Sequence, residues 1–357
     1  MAKVLVVGSA ENSGGGVTTA IKLIKGMPVW KKYHCKWLGT QIQAGKVKKA
    51  YYALKSYFVA LFIIWNYDII HFHTVPNISM VIQLPVFLMA LAGRKKIVLH
   101  LHVGGQLERE KELNFKLFRW CMKKSDVIVL LAKKYSDVVK KRYAEVCTPT
   151  VVIYNACEEV YVLPYEKHDK TILFAGFFSK NKAADKLILA FAKLHTKYPD
   201  WKVQLLGSGP EEKTYRDLIA QHGLENCVQI PGYVTGEKKA SFFKKAGIYA
   251  MCSFLEGFPM VVLEAWAYGV PVVTTPVGGL PDVLEEGKNA CVFDFGDVDV
   301  LVALLDKLMG DDKLRAEIGL YAKEMVEKKF SPNVISGQID ELYKQLLNSN
   351  YAKVSNR

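Results

Sequence analysis

The tightest constraint on this chain is a rhythm: short, β-branched apolar runs return at intervals, with helix-length segments between them. In the first half the runs are Val4–Val7, Asp68–Phe72, Lys96–His102, Val127–Leu131 and Thr150–Ile153. In the second half "TILFAG", "KVQLLG", "CVQIPG", "GIYAMC" and "PVVTTP" repeat the pattern, each ending where a strand gives way to a turn. Apolar strands of this length belong to parallel sheets covered by helices. Two such sets in 357 residues, more than one average core serves, predict an α/β protein. It would have two doubly wound, Rossmann-like domains facing each other across a crevice. The first is expected over residues 1–165, joined by a C-terminal helix over 334–350, and the second over 166–333, with the join near Tyr161–Asp169. In such sheets ligands collect at the carboxyl ends of the strands.

Half the residues are hydrophobic and 23% are charged, the balance of a globular chain. Seven scattered cysteines, with no Cys-x-x-Cys pair, argue for a reduced, cytoplasmic setting without disulfides or a zinc cluster. No secretory leader is expected, since Met1 runs almost at once into "KVLVVG". The most apolar stretches, Tyr57–Trp65 and Val81–Gly93, fall short of the ~20 residues a spanning helix needs. The net charge of +13 is one-sided: residues 1–165 hold 24 basic side chains against 10 acidic ones, and residues 166–357 hold 24 against 25. That excess predicts a polyanionic partner for the first domain, either nucleic acid, an anionic membrane surface or a phosphate-bearing substrate. Nucleic acid is set aside, because the lysines are spread over several elements and form no recognisable binding motif.

Gly14, Gly15 and Gly16 follow the first strand and open a helix, where backbone can approach a ligand and free amides favour anions. The spacing is neither the dinucleotide fingerprint nor a P-loop, so a phosphate-facing role and a plain flexible turn stay equally open. His71 and His73, and His100 and His102, are pairs two apart in strands, so each pair shares one face. No further ligand stands out, so no metal is expected, and His71 and His100 read as packed, hydrogen-bonded core residues. His102 ends its strand just before two glycines, where it can donate to a phosphate or a sugar hydroxyl. Asp297-x-Asp299 has the spacing of a metal-binding pair, but the helical pattern that follows makes a capping aspartate the better reading.

The most specific stretch is "SFLEGFPMVVLEAWAYGVPVVTTP", Ser253 to Pro276. Glu256 falls in the loop after a strand, Pro259 suits the first turn of a helix, and that helix would run from Met260 to about Tyr268 and stop at Gly269. Glu264 then sits on the second turn. Carboxylates accept bonds from hydroxyls while helix-start amides favour phosphate, so the stretch suits a ligand with hydroxyls at both ends and a diphosphate between them. A capping carboxylate plus a surface glutamate is the plainer alternative.

The two glutamates in "EGFPMVVLE", the continuation "AYGVPVVTTPVGGLPDVL", and "YNACE", "LLGSGP", "DIIHFH" and "LHLHVGG" together resemble glycosyltransferase family 4. These are retaining, sugar-nucleotide-dependent enzymes of the GT-B fold. The resemblance covers nearly the whole chain and is sharper in its second half. It implies that Glu256 holds the donor sugar's hydroxyls and Glu264 those of the ribose. Gly257, Phe258, Pro259 and Met260 would line the sugar and phosphates. Lys182 would neutralise the diphosphate, Gly15 and Gly16 would approach it, and Tyr233 and Val234 would lie beside the base. His102 would contact the donor sugar near the reacting carbon. The chain departs from the family at Phe177, where an arginine usually pairs with the diphosphate, which leaves more of that charge to Lys182 and the helix start.

The implied function is transfer of a hexose-type unit from a UDP- or GDP-sugar, without metal or other cofactor. The acceptor would be a glycan or lipid-linked molecule in cell-surface polysaccharide synthesis. Lys46–Trp65 and Phe115–Asp126 interleave basic with aromatic residues, which suits either the face of an anionic bilayer or a core segment with a solvated rim. The first option makes the protein peripheral on the cytoplasmic side of a membrane. Alternatives are a sugar-nucleotide epimerase of the same fold and a degenerate sugar-nucleotide-binding protein.

Overall fold

The computed structural model describes residues 2–42, 44–76, 78–103, 107, 115–158 and 168–348. Two compact units emerge, one of residues 1–156 with 330–357 and one of residues 157–329. The join read from sequence near Tyr161–Asp169 falls largely on residues 159–167, outside the described residues.

The first unit's strands are β1 (Val4–Ser9), β2 (Lys36–Gln41), β3 (Ile69–Thr74), β4 (Lys96–Leu101), β5 (Val127–Leu130) and β6 (Thr150–Val152). All pair in parallel, in the order β2-β1-β3-β4-β5-β6. Its helices are α1 (Gly16–Gly26), α2 (Pro28–Lys32), α3 (Lys46–Ile63), α4 (Ile78–Ala92), α5 (Phe115–Lys124) and α6 (Lys133–Arg142). The sheet is buried on both sides. Leu5, Val7, Ile70, Phe72 and Leu99 meet one set of helices, and Val4, Val6, Ile69 and Val98 meet the other.

The second unit holds β7 (Thr171–Ala175), β8 (Lys202–Leu206), β9 (Val228–Gly232), β10 (Ile248–Met251), β11 (Val272–Thr274) and β12 (Ala290–Val292). They too are parallel, in the order β12-β11-β10-β7-β8-β9. Around them lie α7 (Ala184–Ala192), α8 (Glu212–Gln221), α9 (Gly236–Lys245), α10 (Met260–Ala267), α11 (Val298–Gly310) and α12 (Asp312–Phe330). The last helix, α13 (Pro332–Leu347), belongs to the first unit. Its Ile335, Ile339, Leu342 and Leu346 pack with Val4, Ile21 and Ile24, Ser336 accepts a bond from the Val29 amide, and Asp340 pairs with Lys32.

Both sheets are doubly wound, but β2 and β12 are additions to the sequence reading. Each is an edge strand, where one side of the backbone needs no partner and composition is less constrained. No helix among the described residues is long and apolar enough to cross a membrane.

Candidate functional site

In a doubly wound sheet the strand order reverses at one point, and the loops leaving the two strands there diverge and open a cleft above them. In the second unit that point lies between β7 and β10, adjacent strands that are far apart in sequence. The loop after β7 carries Lys182 and the loop after β10 carries Glu256, and the lysine Nζ lies 2.5 Å from the carboxylate Oε1. Both side chains are largely but not wholly buried, 22% and 13% exposed, so the pair is desolvated yet within a ligand's reach.

The loop that presents Glu256 is tied down from three sides. Asn181 donates from its side chain to the Leu255 carbonyl and accepts the Phe254 amide on its own carbonyl. Thr275 donates to the Ser253 carbonyl, and the Gly279 amide donates to the Gly257 carbonyl. Gly278 has φ +65°, and a Cβ there would come 2.2 Å from the Gly257 carbonyl oxygen, so only glycine lets the two loops touch. Below, Tyr249 on β10 donates to the Ala175 carbonyl on β7. Burial, and then the negative charge of Glu264 and Glu256, push its hydroxyl well above the usual phenol range, so it stays neutral.

Beyond the loop α10 begins at Met260 with Pro259 as its cap, one position before the first-turn placement expected from the sequence. Its amide end follows directly on the loop that carries Glu256. Glu264 lies on the second turn, and Lys239 of α9 reaches its Oε2 at 2.5 Å while sitting over the Phe243 ring. Thus each glutamate has a lysine. Lys182 was legible from sequence, but Lys239 was not, because its partner lies 25 residues away on another helix. Tyr233 is exposed and Val234 buried, just ahead of α9. Phe177 is exposed beside Gly176, whose Cβ position lies 3.6 Å from the Lys182 stem.

In the first unit the order reverses between β1 and β3. Gly15 caps α1 with φ 104°, a value glycine alone adopts easily, and a Cβ on Gly16 would meet open space. His102 follows β4 and donates its backbone amide to Thr74. The glycines that follow it, Gly104 and Gly105, lie outside the described residues.

Register pairs His73 with His100 across β3 and β4, and the four histidines stack as a column. His73 Nδ1 and His102 Nε2 are 2.9 Å apart, His71 Nε2 and His100 Nδ1 3.2 Å, and His71 Nδ1 and the Tyr343 hydroxyl of α13 2.6 Å. Burial, with repulsion from His102, lowers His71 to about 3, and burial lowers His102 to about 4. His71, His73 and His100 offer ligand atoms within 4.8 Å of one another, a grouping that the two-apart spacing did not reveal. Four of their six ring nitrogens are hydrogen-bonded and only His73 Nε2 and His100 Nε2 are buried without a partner, so the arrangement is that of a neutral, mostly hydrogen-bonded ladder. Asp297 caps α11 through the Val300 amide, and Asp299 pairs with Lys193.

Residues 161–325 match the family model described as Glycosyl transferases group 1. An N-acetyl-alpha-D-glucosaminyl L-malate synthase of Bacillus anthracis is 28% identical over 300 residues, 79% of this chain and 76% of that protein. An exopolysaccharide phosphotransferase of Streptomyces coelicolor is 29% identical over 62% of this chain, which spans only 24% of that protein's length. A D-inositol 3-phosphate glycosyltransferase of Corynebacterium urealyticum is 33% identical over 50% of this chain and 43% of its own. Among solved structures, Anabaena HepE in complex with UDP-glucose matches with a TM-score of 0.77 at 20% identity, over 96% of this chain and 99% of that one. Sucrose-phosphate synthase from Thermosynechococcus elongatus gives 0.80 at 17% identity, over 97% and 100%. The chain therefore has the two-domain α/β GT-B fold, and its residues 161–325 carry the pattern of Glycosyl transferases group 1.

Proposed function

We propose that this chain is a retaining glycosyltransferase of family 4 that moves a hexose-type unit from a UDP- or GDP-sugar to a glycan or lipid-linked acceptor. The setting is cell-surface polysaccharide assembly at the cytoplasmic face of a membrane. The observation that carries the reading is the Lys182–Glu256 pair at the second unit's switch point, ahead of the amide end of α10. The group 1 pattern over residues 161–325 supports it.

The chemistry follows from what each group prefers. Without donor, each lysine neutralises a glutamate. A nucleotide sugar brings phosphates for the ammonium of Lys182 and hydroxyls for both carboxylates, so partners exchange without leaving a buried charge alone. Lys182 and the α10 amides then hold the charge that grows on the leaving diphosphate. Glu256 orients the sugar hydroxyls, Glu264 the ribose, and the backbone of Gly257–Met260 lines the path between. Tyr233 and Val234 flank the base. Gly15, Gly16 and His102, in the first unit, act toward the diphosphate and the sugar. His102 enters neutral, as its lowered pKa requires, and so donates a hydrogen bond rather than a full charge. No metal takes part in this reading.

The test is a panel of UDP-, GDP- and ADP-sugars without metal, read by thermal stabilisation and by nucleotide release. One nucleotide class is expected to stabilise the protein. Glu256→Gln should cut release by about a hundredfold or more while the folded protein still binds nucleotide. Binding with no release in the wild type would return the sugar-nucleotide-binding reading, and release that survives Glu256→Gln would remove the role given to that residue.

A further inference from the structure

A surface helix normally turns its apolar stripe inward, and α3 has a second one facing out. Its inner face is made of small residues, Ala53, Ser56 and Ala60, and is anchored by the Tyr57 hydroxyl donating to the Ile82 carbonyl of α4. On the opposite side Val47, Tyr51, Leu54, Phe58, Phe62 and Trp65 are all exposed, from 52% for Trp65 to 84% for Val47. Their spacing of three and four residues confines them to an arc of about 80° along the whole helix and the turn after it. Phe58 and Phe62 pack edge to face with ring centroids 4.9 Å apart, so the patch is continuous. A contiguous apolar strip of this extent is uncommon on a soluble surface that meets only water.

Charge decides what covers it. Lys48 and Lys55 run along one edge of the strip, Lys46 and Lys49 lie further round in the helix's first turn, and between Glu11 and Glu108 the only acidic residue is Asp68, whose carboxylate accepts the Lys3 amide. A second copy of the chain laid on this face would set lysine against lysine. An anionic lipid surface instead offers headgroups to the lysines, acyl chains to Leu54, Phe58 and Phe62, and an interfacial layer that suits Tyr51 and Trp65. We infer that α3 is an in-plane docking helix for an anionic bilayer. Of the two aromatic-basic segments legible in the sequence, this one has an outward apolar face among its described residues. The other, α5, turns Phe118, Cys121 and Met122 into the core.

The inference does not rest on the transferase reading, and its test needs no donor. The full chain is mixed with vesicles of phosphatidylcholine alone or with about 30% phosphatidylglycerol, and bound protein is measured by flotation. Binding is expected to the anionic vesicles, to weaken several-fold as salt rises to about 0.5 M, and to fall at least about tenfold in a Phe58→Glu/Phe62→Glu variant with unchanged circular dichroism and melting temperature. Brominated lipid should quench the wild type's tryptophan emission, and Trp65→Phe should lose most of that quenching. Equal binding by the double glutamate variant, or no binding to anionic vesicles, overturns the proposal. So does a concentration-dependent dimer that the same variant abolishes, which would make the face a contact between copies.

Discussion

Gly278 shows how much of the candidate site rests on one missing methyl group. It approaches the Gly257 carbonyl more closely than any side chain allows, and its φ of +65° is one that a β-carbon disfavours. Gly278→Ala must therefore displace the loop that carries Glu256. We expect a loss of roughly 1–3 kcal/mol in stability, with a fall in nucleotide affinity, read by urea unfolding and a nucleotide titration. An unchanged affinity would mean that the loop moves without disturbing the ligand contacts. Glu256 and Glu264 were legible in the sequence because loop, proline and helix follow one another locally. Lys239 was hidden because a lysine four residues into a helix is ordinary until its neighbour across space is known.

The histidine ladder belongs to two strands and one helix, and its legibility divides along the same line. Period-two spacing put each pair on one face, but only the β3–β4 register makes them a column, and only α13 supplies Tyr343. Of the four edge strands β2 and β12 were missed for a related reason, since β2 has an exposed first residue and glycine at its fourth position and β12 has three residues. A pH prediction follows from the ladder. His71 at about 3 and His102 at about 4 lie below the ordinary 6.5, so the unfolded chain binds protons that the folded one refuses. Their neutral state is matched to the fold above about pH 6.5, and stability falls as pH drops from there toward the folded values. The loss approaches about 1.4 kcal/mol per pH unit for each such histidine. Urea midpoints between pH 7.5 and 5.5, above most carboxylate titration, should fall, and should fall less steeply in His71→Phe. An identical slope would place the acid sensitivity elsewhere.

At the scale of the molecule, the doubly wound plan was written in the strand rhythm, and α13, in the stretch where a closing helix was expected, is held to the first unit by chemistry distant in sequence. Asp340 is the clearest case. Burial opposes its ionisation, yet bonds from Lys32, Lys344 and Tyr33 hold its carboxyl down to about 2. Removing residues 332–357 strips four buried aliphatic side chains of α13 from the first core. At about 1.5–3 kcal/mol each, their loss rivals the whole stability of a typical domain. The shortened chain is expected to lose its first cooperative unit while residues 157–329 still unfold as one, which calorimetry would resolve as a surviving single transition. One uncooperative transition would mean that neither unit stands alone.

The return of α13 also sets a timetable. On a translating ribosome, residues 157–329 form a contiguous stretch that can close on itself as soon as it has emerged. The first unit, although made earlier, waits for Pro332–Leu347 before Val4, Ile21 and Ile24 are covered. During that interval the nascent chain carries an uncovered apolar surface on one face of its first sheet and the basic, outward-facing α3 on the other, which makes the amino-terminal half the part most dependent on chaperones or on early contact with lipid.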